Sequence, residues 1–228
     1  MKRFLIPFIL GVAISASAQN MHWQRVAQLP DSEFTALCAA GDTFFAASVN
    51  RVYFSTDGGS QWNATAEIAP QVDFIISLHF AHGRLYVGTG FDGVYSSANL
   101  GQSWQADNAG LAGLGAFNIS GFAVRGDSLY AGTYGAKVFV KRISTNSPWS
   151  AYSAGMYWGN VESIANVNDT LYAGSGGNST LSRQAYPGHA WTESPLGIFD
   201  GTSNSLLAIT RHGGALLAAG NTGLYRST

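Results

Sequence analysis

The chain has 228 residues, with 12 Lys and Arg against 13 Asp and Glu, so its formal net charge is −1. Only 11% of the residues are charged, which excludes the basic stripe of a nucleic-acid-binding protein and the polybasic patch of a membrane-surface protein. Cys38 is the single cysteine, so an internal disulfide is excluded as well. The 28 glycines and the 13% aromatic content favour short strands joined by tight turns.

The first 18 residues predict a cleavable secretory signal peptide. Lys2 and Arg3 precede an apolar run over residues 4–14, and Ala16-Ser17-Ala18 supplies small residues for cleavage before Gln19. The run is shorter than the ~20 apolar residues of a membrane-spanning helix. We therefore expect a mature chain, residues 19–228, that is secreted or periplasmic, and the short Lys-Arg leader is typical of a bacterial signal peptide.

The mature chain repeats one sequence pattern, in which two apolar strand-like segments are separated by a short loop that contains glycine or asparagine. The copies are residues 44–56, 85–97, 129–141, 171–183 and 216–228. Repeats of about 40–45 residues with strand-like units are typical of β-propeller blades. The sequence thus predicts an all-β propeller of four-stranded antiparallel blades without helices, with blades over 33–68, 74–110, 118–154, 160–196 and 203–228.

Two residue series give each predicted blade its register. An apolar residue recurs in the first strand of each unit, at Leu37, Leu78, Phe122, Ile164 and Leu207. A tryptophan opens the fourth strand, at Trp62, Trp104, Trp149 and Trp191, and Trp23 extends that series ahead of the first unit. Residues 22–30 are therefore predicted to be an outer strand without inner strands of its own.

A short motif follows the third strand of the first two units. Ser55, Asp57, Gly59 and Trp62 are matched by Ser97, Asn99, Gly101 and Trp104. An Asp or Asn side chain in such a turn can accept hydrogen bonds from nearby backbone N–H groups, and the glycine can take a positive φ.

This motif resembles the Asp-box, or BNR repeat, of sialidase-like, Ycf48-like and sortilin-like propellers. The resemblance implies a propeller fold and a structural role for these eight residues on the outer rim of the blades. It does not imply one activity, since the resembling proteins include sialidases, xyloglucan-cleaving glycoside hydrolases and receptors. Ser227-Thr228 aligns with Ser55-Thr56, so the sequence favours a piece of a larger ring over five blades that close on themselves.

The residues of a propeller glycosidase are not recognisable. Resemblance to a sialidase implies an Arg-Ile-Pro segment before the first blade, but the only Ile-Pro is Ile6-Pro7, inside the predicted signal peptide. A hydrolase using two carboxylates needs them paired across a cleft, and the acids outside turns form no motif. The favoured function is a non-catalytic binding or scaffold module without metal or cofactor; the alternative is a fragment of a propeller glycoside hydrolase.

A partner, either a protein or a carbohydrate, is expected on the loops that join each outer strand to the next inner strand and on those between second and third strands. Exposed aromatic side chains suit both kinds of ligand. The candidate contact residues are Phe91, Asp92, Tyr134, Tyr157, Trp158, Phe199 and Asp200. The alternative for the aromatic residues of the blade-to-blade loops, Phe117, Tyr157 and Phe199, is that they plug the top of the core.

Overall fold

The computed structural model describes residues 25–27, 29–30, 33–72, 74–176, 180–186, 188, 190–195, 205–212, 215–221 and 223–227. The predicted signal peptide, Trp23, Phe199 and Asp200 lie outside this part. Within it the chain forms strands, turns and loops and no helix, as predicted.

The strands follow one another at regular intervals. In chain order they are β1 (Phe34–Ala40), β2 (Thr43–Ser48), β3 (Val52–Ser55), β4 (Asn63–Ala64), β5 (Ile75–Ala81), β6 (Arg84–Thr89), β7 (Val94–Ser97), β8 (Gln105–Ala106), β9 (Ile119–Arg125), β10 (Ser128–Thr133), β11 (Lys137–Arg142), β12 (Ser150–Ala151), β13 (Val161–Val167), β14 (Thr170–Ser175), β15 (Thr180–Ala185), β16 (Thr192–Pro195), β17 (Leu206–His212), β18 (Ala215–Gly220) and β19 (Gly223–Arg226).

Each sheet is an antiparallel meander of strands that are consecutive in the chain. The orders are β1-β2-β3-β4, β5-β6-β7-β8, β9-β10-β11-β12 and β13-β14-β15-β16, followed by the three-stranded sheet β17-β18-β19. The first strand of each sheet packs against the first strand of the next, so the sheets stand side by side around an axis. The predicted propeller architecture is confirmed, and we refer to the sheets as blades 1 to 5.

Both faces of a middle blade are apolar, because each is covered by a neighbour. Along β6, Leu85 and Val87 lie in the core shared with blade 1, whereas Tyr86 between them packs into the core shared with blade 3. Side chains alternate between the two faces of a strand, so consecutive residues pack against the blades on opposite sides. Fully burying one such aliphatic side chain contributes roughly 1.5–3 kcal/mol.

A glycine in the second strand lets the next blade approach. A Cβ atom built on Gly88 would lie 2.7 Å from Cγ2 of Ile119, the first residue of β9. The same contact recurs at the two junctions that follow, between Gly132 and Val161 and between Gly174 and Leu206. The junction therefore requires a small residue at this position, and the corresponding residue of blade 1 is Ala47.

Buried serines add hydrogen bonds across two junctions. Ser77 Oγ donates to the backbone carbonyl of Ile119 at 2.9 Å, and Ser163 Oγ donates to that of Leu206 at 2.7 Å. Both serines lie in the first strand of their blade, next to the register shift that follows its first residue.

That register shift corrects one member of the predicted apolar series. Leu37, Leu78, Phe122 and Ile164 pair with the equivalent residue of the second strand, but in blade 5 the residue so paired is Ile209, opposite Ala218. The sequence alignment placed Leu207 there, although Leu207 lies within the shift between Leu206 and Ala208. The same shift occurs in every blade, so it does not itself cause the difference. The interval from Ile164 to its equivalent is two residues longer than the alignment assumed, and a displacement by two keeps the apolar alternation intact.

The glycine position gives a stability test with a control in the same sheet. Gly132→Ala should lower the free energy of unfolding by about 1–3 kcal/mol, because its methyl group meets Cγ1 of Val161 at 2.7 Å in a packed junction. Gly121, its pairing partner in β9, would place a methyl group at an ordinary 3.5 Å from Ile164. Gly121→Ala should therefore be neutral or slightly stabilising in urea unfolding. Equal losses for the two variants would contradict the close-approach explanation.

Candidate functional site

The strand order separates two sets of connections. Loops between the second and third strands and loops from one blade to the next leave the same end of each meander; we call this side the loop edge. Connections between first and second strands and between third and fourth strands lie at the opposite side, the turn edge. The predicted ligand residues that are described belong to the loop edge, and the Asp-box-like turns belong to the turn edge.

The loop edge exposes large apolar side chains. Phe91 is 79% exposed and Tyr157 75% exposed, while Tyr134 and Trp158 are partly exposed. Leu114, which the sequence reasoning did not select, is 95% exposed. The sequence gives little indication of this exposure, since a leucine between two glycines in a long loop is equally compatible with a buried side chain that anchors the loop. The patch of apolar side chains is therefore larger than predicted.

The loops that carry these side chains hold one another in place. Gly93 N–H donates to the carbonyl of Phe117 at 2.9 Å, which joins the β6–β7 loop to the β8–β9 loop. Gly115 sits against the carbonyl of Tyr134, so close that a Cβ atom on it would overlap that oxygen. An isolated bridge between Tyr134 and Asn160 continues the connection to blade 4. Contacts thus run from blade 2 to blade 4 across the loop edge.

Phe117 is intermediate between the plug that was predicted and a contact residue. Its ring lies 3.0 Å from where a Cβ atom on Gly93 would be, yet 40% of its surface is exposed. The ring therefore supports the β6–β7 loop on one side and presents its other side to solvent.

Tyr157 and Trp158 form a rigid pair on the β12–β13 loop. Their ring centroids lie 4.8 Å apart with an interplanar angle of 85°, an edge-to-face arrangement. Tyr157 N–H donates to Oε1 of Glu193 at 3.2 Å, and Lys137 Nζ donates to the carbonyl of Met156 at 2.7 Å. The backbone that carries the two rings is therefore hydrogen-bonded to side chains of β11 in blade 3 and of β16 in blade 4.

Two acidic residues also lie at the loop edge. Asp92 follows Phe91 in a loop fixed by a hydrogen bond from Asp92 N–H to Thr89 Oγ1 at 2.8 Å. Glu162, in β13, lies against Gly176, and burial raises the pKa of its carboxyl group. No cluster of metal-ligating side chains occurs in the part of the chain that the structure describes.

The two Asp-box-like turns have the same hydrogen bonds. In the first, Ser55 Oγ donates to Asp57 Oδ1 and accepts from Gly59 N–H, at 2.8 and 2.9 Å, while Gln61 N–H donates to Asp57 Oδ1 at 2.8 Å. These bonds hold the pKa of Asp57 below its usual range. Gly59 has φ +90°, which favours glycine.

The second turn repeats this arrangement with an amide. Ser97 Oγ donates to Asn99 Oδ1 and accepts from Gly101 N–H, each at 2.8 Å, and Ser103 N–H donates to Asn99 Oδ1 at 3.0 Å. Gly101 has φ +84° and packs against Thr65 of the preceding blade. Both side chains are used inside their own turns, which accords with a structural role.

Other side chains replace the serine in the next two blades. Lys141 pairs with Leu129 as Ser97 pairs with Leu85, and its buried ammonium group bonds to Asp107 at 2.5 Å and to Asn146. In blade 4 the equivalent residue is Gln184, opposite Leu171, and not Arg183 as the sequence alignment had it, because the β14–β15 connection is one residue longer.

The recurring tryptophans connect neighbouring blades. The indole N–H of Trp149 donates to the carbonyl of Asp107 at 2.7 Å, and that of Trp191 donates to the carbonyl of Tyr152, also at 2.7 Å. Trp104 makes the same contact with Ala66 at 3.1 Å. Trp62, in the first blade, instead donates within its own turn. The series therefore marks blade-to-blade contacts as well as the start of outer strands.

Neither Arg125 nor Cys38 offers a reactive group. Arg125, in a cleft of the turn edge, donates to Gln184 Oε1 at 2.6 Å and to the hydroxyl of Tyr130 at 3.0 Å, which links blades 3 and 4. Cys38 packs at the junction of blades 1 and 2, where burial raises the pKa of its thiol to about 12. A thiol with that pKa is a poor nucleophile at neutral pH.

No protein-family model matches the chain, and neither does any curated protein. Solved structures are similar in fold. Ycf48 bound to a D1 peptide aligns with a TM-score of 0.60 at 15% identity, over 85% of this chain and 63% of that one. The extracellular domain of the hybrid two component system BT4673 from B. thetaiotaomicron gives 0.69 at 15%, over 90% and 28%.

The GH74 xyloglucanase from Xanthomonas campestris is also similar, with a TM-score of 0.61 at 18% identity, over 86% of this chain and 36% of that one. The chain spans less than two thirds of the length of each of these structures. Identities this low support the shared propeller fold alone, and the Asp-box assignment stays a prediction. Among the described residues, no helix is long and apolar enough to cross a membrane.

The Asp57 turn predicts a pH dependence of stability. Its pKa is lower in the folded chain than the ordinary 3.8, so the carboxylate stabilises the fold above that value and this contribution is lost as the pH falls through the folded pKa. Asp57→Asn keeps the acceptor oxygen, as Asn99 shows, and should reduce the acid sensitivity of the urea midpoint. Asn99→Asp should increase it. Parallel midpoint-against-pH curves for both variants and the parent would contradict this account.

Proposed function

We propose that this chain is an exported, non-catalytic propeller module that binds a protein through its loop edge. The observation that carries the proposal is the set of exposed aromatic side chains on interlocked loops, Phe91, Tyr134, Tyr157 and Trp158. Aromatic side chains in a fixed arrangement contribute most of the energy at many protein interfaces, because little conformational freedom is lost on binding.

Two comparisons support the choice of a protein partner and of export. One structure of similar fold is Ycf48 bound to a peptide, and others are extracellular domains. The predicted signal peptide agrees with export. Phe199 and Asp200 are outside the described residues and remain candidate contacts, because in the sequence they belong to the segment between β16 and β17.

A carbohydrate is the alternative ligand, since exposed aromatic rings also stack on sugars. A xyloglucan-cleaving enzyme is a second candidate function, and the fold likeness to the GH74 xyloglucanase favours testing it. Its acids would have to come from Asp92, Glu162 and Glu193 on the loop edge, or from blades that complete a longer chain. Release of reducing ends from xyloglucan by the purified protein would identify that function and exclude the non-catalytic module.

Binding can be tested with defined probes. The purified protein is screened against an array of extended peptides and an array of glycans, and the best ligand is measured by calorimetry. Tyr157→Ala, Trp158→Ala and Phe91→Ala should each weaken binding by about tenfold or more, as loss of a central aromatic contact does. Tyr186→Ala is the matched control, because Tyr186 is a comparably exposed tyrosine at the turn edge.

The outcomes separate the alternatives. Peptide binding lost in the three loop-edge variants and kept in the Tyr186 variant supports the proposal. Glycan binding with the same pattern identifies the loop edge as a carbohydrate site. Binding that none of the three substitutions weakens contradicts the assignment to this edge.

A further inference from the structure

The first strand of each blade skips one residue in its pairing with the second strand. The skipped residue is the second of the strand, and it has no partner in the ladder. Because first strands begin at the loop edge, the skipped residues occupy equivalent positions close to that edge. They are Thr35, Ile76, Ser120, Glu162 and Leu207. Glu162 is the charged member of this set.

The skipped side chain lies beside the loop between the second and third strands of its own blade. A Cβ atom built on Gly90 would lie 3.7 Å from Cδ1 of Ile76. One built on Gly176, the equivalent glycine of blade 4, would lie 2.5 Å from Oε1 of Glu162 and 3.0 Å from its Cγ. The same position thus holds an isoleucine in blade 2 and a glutamate in blade 4. Packing at this position therefore does not require a charge.

The carboxyl group of Glu162 is partly buried and has no partner. It forms no hydrogen bond or ion pair with another residue in the described part of the chain, and burial alone raises its pKa. In the sequence, the flanking segments 177–179 and 196–204 contain neither Lys nor Arg. A carboxylate that loses water without gaining a donor costs free energy. A cation from another molecule would offset this cost.

Aromatic side chains lie on the loops that lead to Glu162. Tyr157 and Trp158 are on the β12–β13 loop, which enters β13 immediately before the acid. Tyr134, on the β10–β11 loop, forms a bridge with Asn160, two residues before Glu162. The faces of tyrosine and tryptophan rings attract ammonium and guanidinium groups. The acid and the three rings therefore belong to one group of connected loops that suits a cation.

The other charges in this region also favour a basic ligand. Lys137, in β11, donates its ammonium group to the carbonyl of Met156 at 2.7 Å, so this cation is already used inside the chain. Asp92 in blade 2 and Glu193 in blade 4 add negative charge at the loop edge. Complementary charge directs the choice of partner and the rate of association more than the affinity itself.

We propose that Glu162 binds a lysine or arginine side chain of a peptide held on the loop edge. This inference rests on the proposed protein-binding function and adds the class of partner, an extended segment that carries a basic residue. The basic group forms a charge-assisted hydrogen bond with the carboxylate of Glu162. Its aliphatic part lies next to the exposed rings, as the stems of such side chains do on apolar surfaces.

The experiment uses the full chain and an array of extended peptides that differ at one central position. That position is lysine, arginine, acetyl-lysine or citrulline; the last two keep the aliphatic part of the side chain and remove its charge. In calorimetry, the best lysine or arginine peptide should bind about tenfold or more tightly than its neutral counterpart. Glu162→Gln should remove this difference by weakening the charged peptide and not the neutral one.

Glu67→Gln is the matched control, because it removes the same charge from the same edge. Glu67 is exposed on the β4–β5 loop, away from the rings of blades 3 and 4. Its substitution should leave the preference for the charged peptide nearly unchanged, since exposed charges at a distance are screened by salt. Circular dichroism and the urea midpoint check that both variants keep the fold of the parent.

The outcomes separate this inference from the function on which it rests. Equal affinity of the parent for charged and neutral peptides, or equal losses in the Glu162 and Glu67 variants, would overturn the inference. Peptide binding that is lost in Tyr157→Ala but unchanged in Glu162→Gln would keep the loop edge as a protein site and remove Glu162 from it. An array in which no peptide binds would contradict both proposals.

Discussion

Close approach of successive blades is the constraint on which the rest of the structure depends. At three junctions the first residue of a blade's first strand lies on a glycine of the blade before it, as Ile119 lies on Gly88, and at the first junction the small residue is Ala47. This contact brings the sheets near enough for buried serines to reach the next backbone and for tryptophans to reach the previous one. A larger residue at the glycine position would separate the sheets and weaken all of these interactions together.

The geometry of the loop edge depends on this packing of the sheets. Because neighbouring sheets are held close, loops from different blades meet and exchange backbone hydrogen bonds, as Gly93 does with Phe117. The exposed rings of Tyr157 and Trp158 contact each other, and the backbone of Tyr157 is hydrogen-bonded to Glu193. A surface arranged in advance loses less conformational entropy on binding than one that must be ordered.

The sequence predicted the architecture because the repeat is a property of local pattern. Blade order, strand number and the tryptophan series follow from recurring apolar residues, glycines and turns, which the chain displays directly. It failed where the spacing changes by one or two residues. The longer interval between blades 4 and 5 led the alignment to place Leu207 where Ile209 belongs, and the longer connection inside blade 4 led it to place Arg183 where Gln184 belongs. The exposure of individual side chains was harder still to predict, since nothing in the loop sequence distinguishes the exposed Leu114 from the buried Leu111 three residues earlier.

The tryptophan and serine contacts have a consequence for how such a chain can evolve. Trp149, Trp191 and Ser77 all donate to backbone carbonyls of the adjacent blade, so the acceptor is present whatever side chain that residue carries. A blade can then change its surface without a compensating change in its neighbour. Duplication or exchange of whole blades would leave these contacts usable at every new boundary, which helps to explain how copies with little sequence in common still stack in one arc.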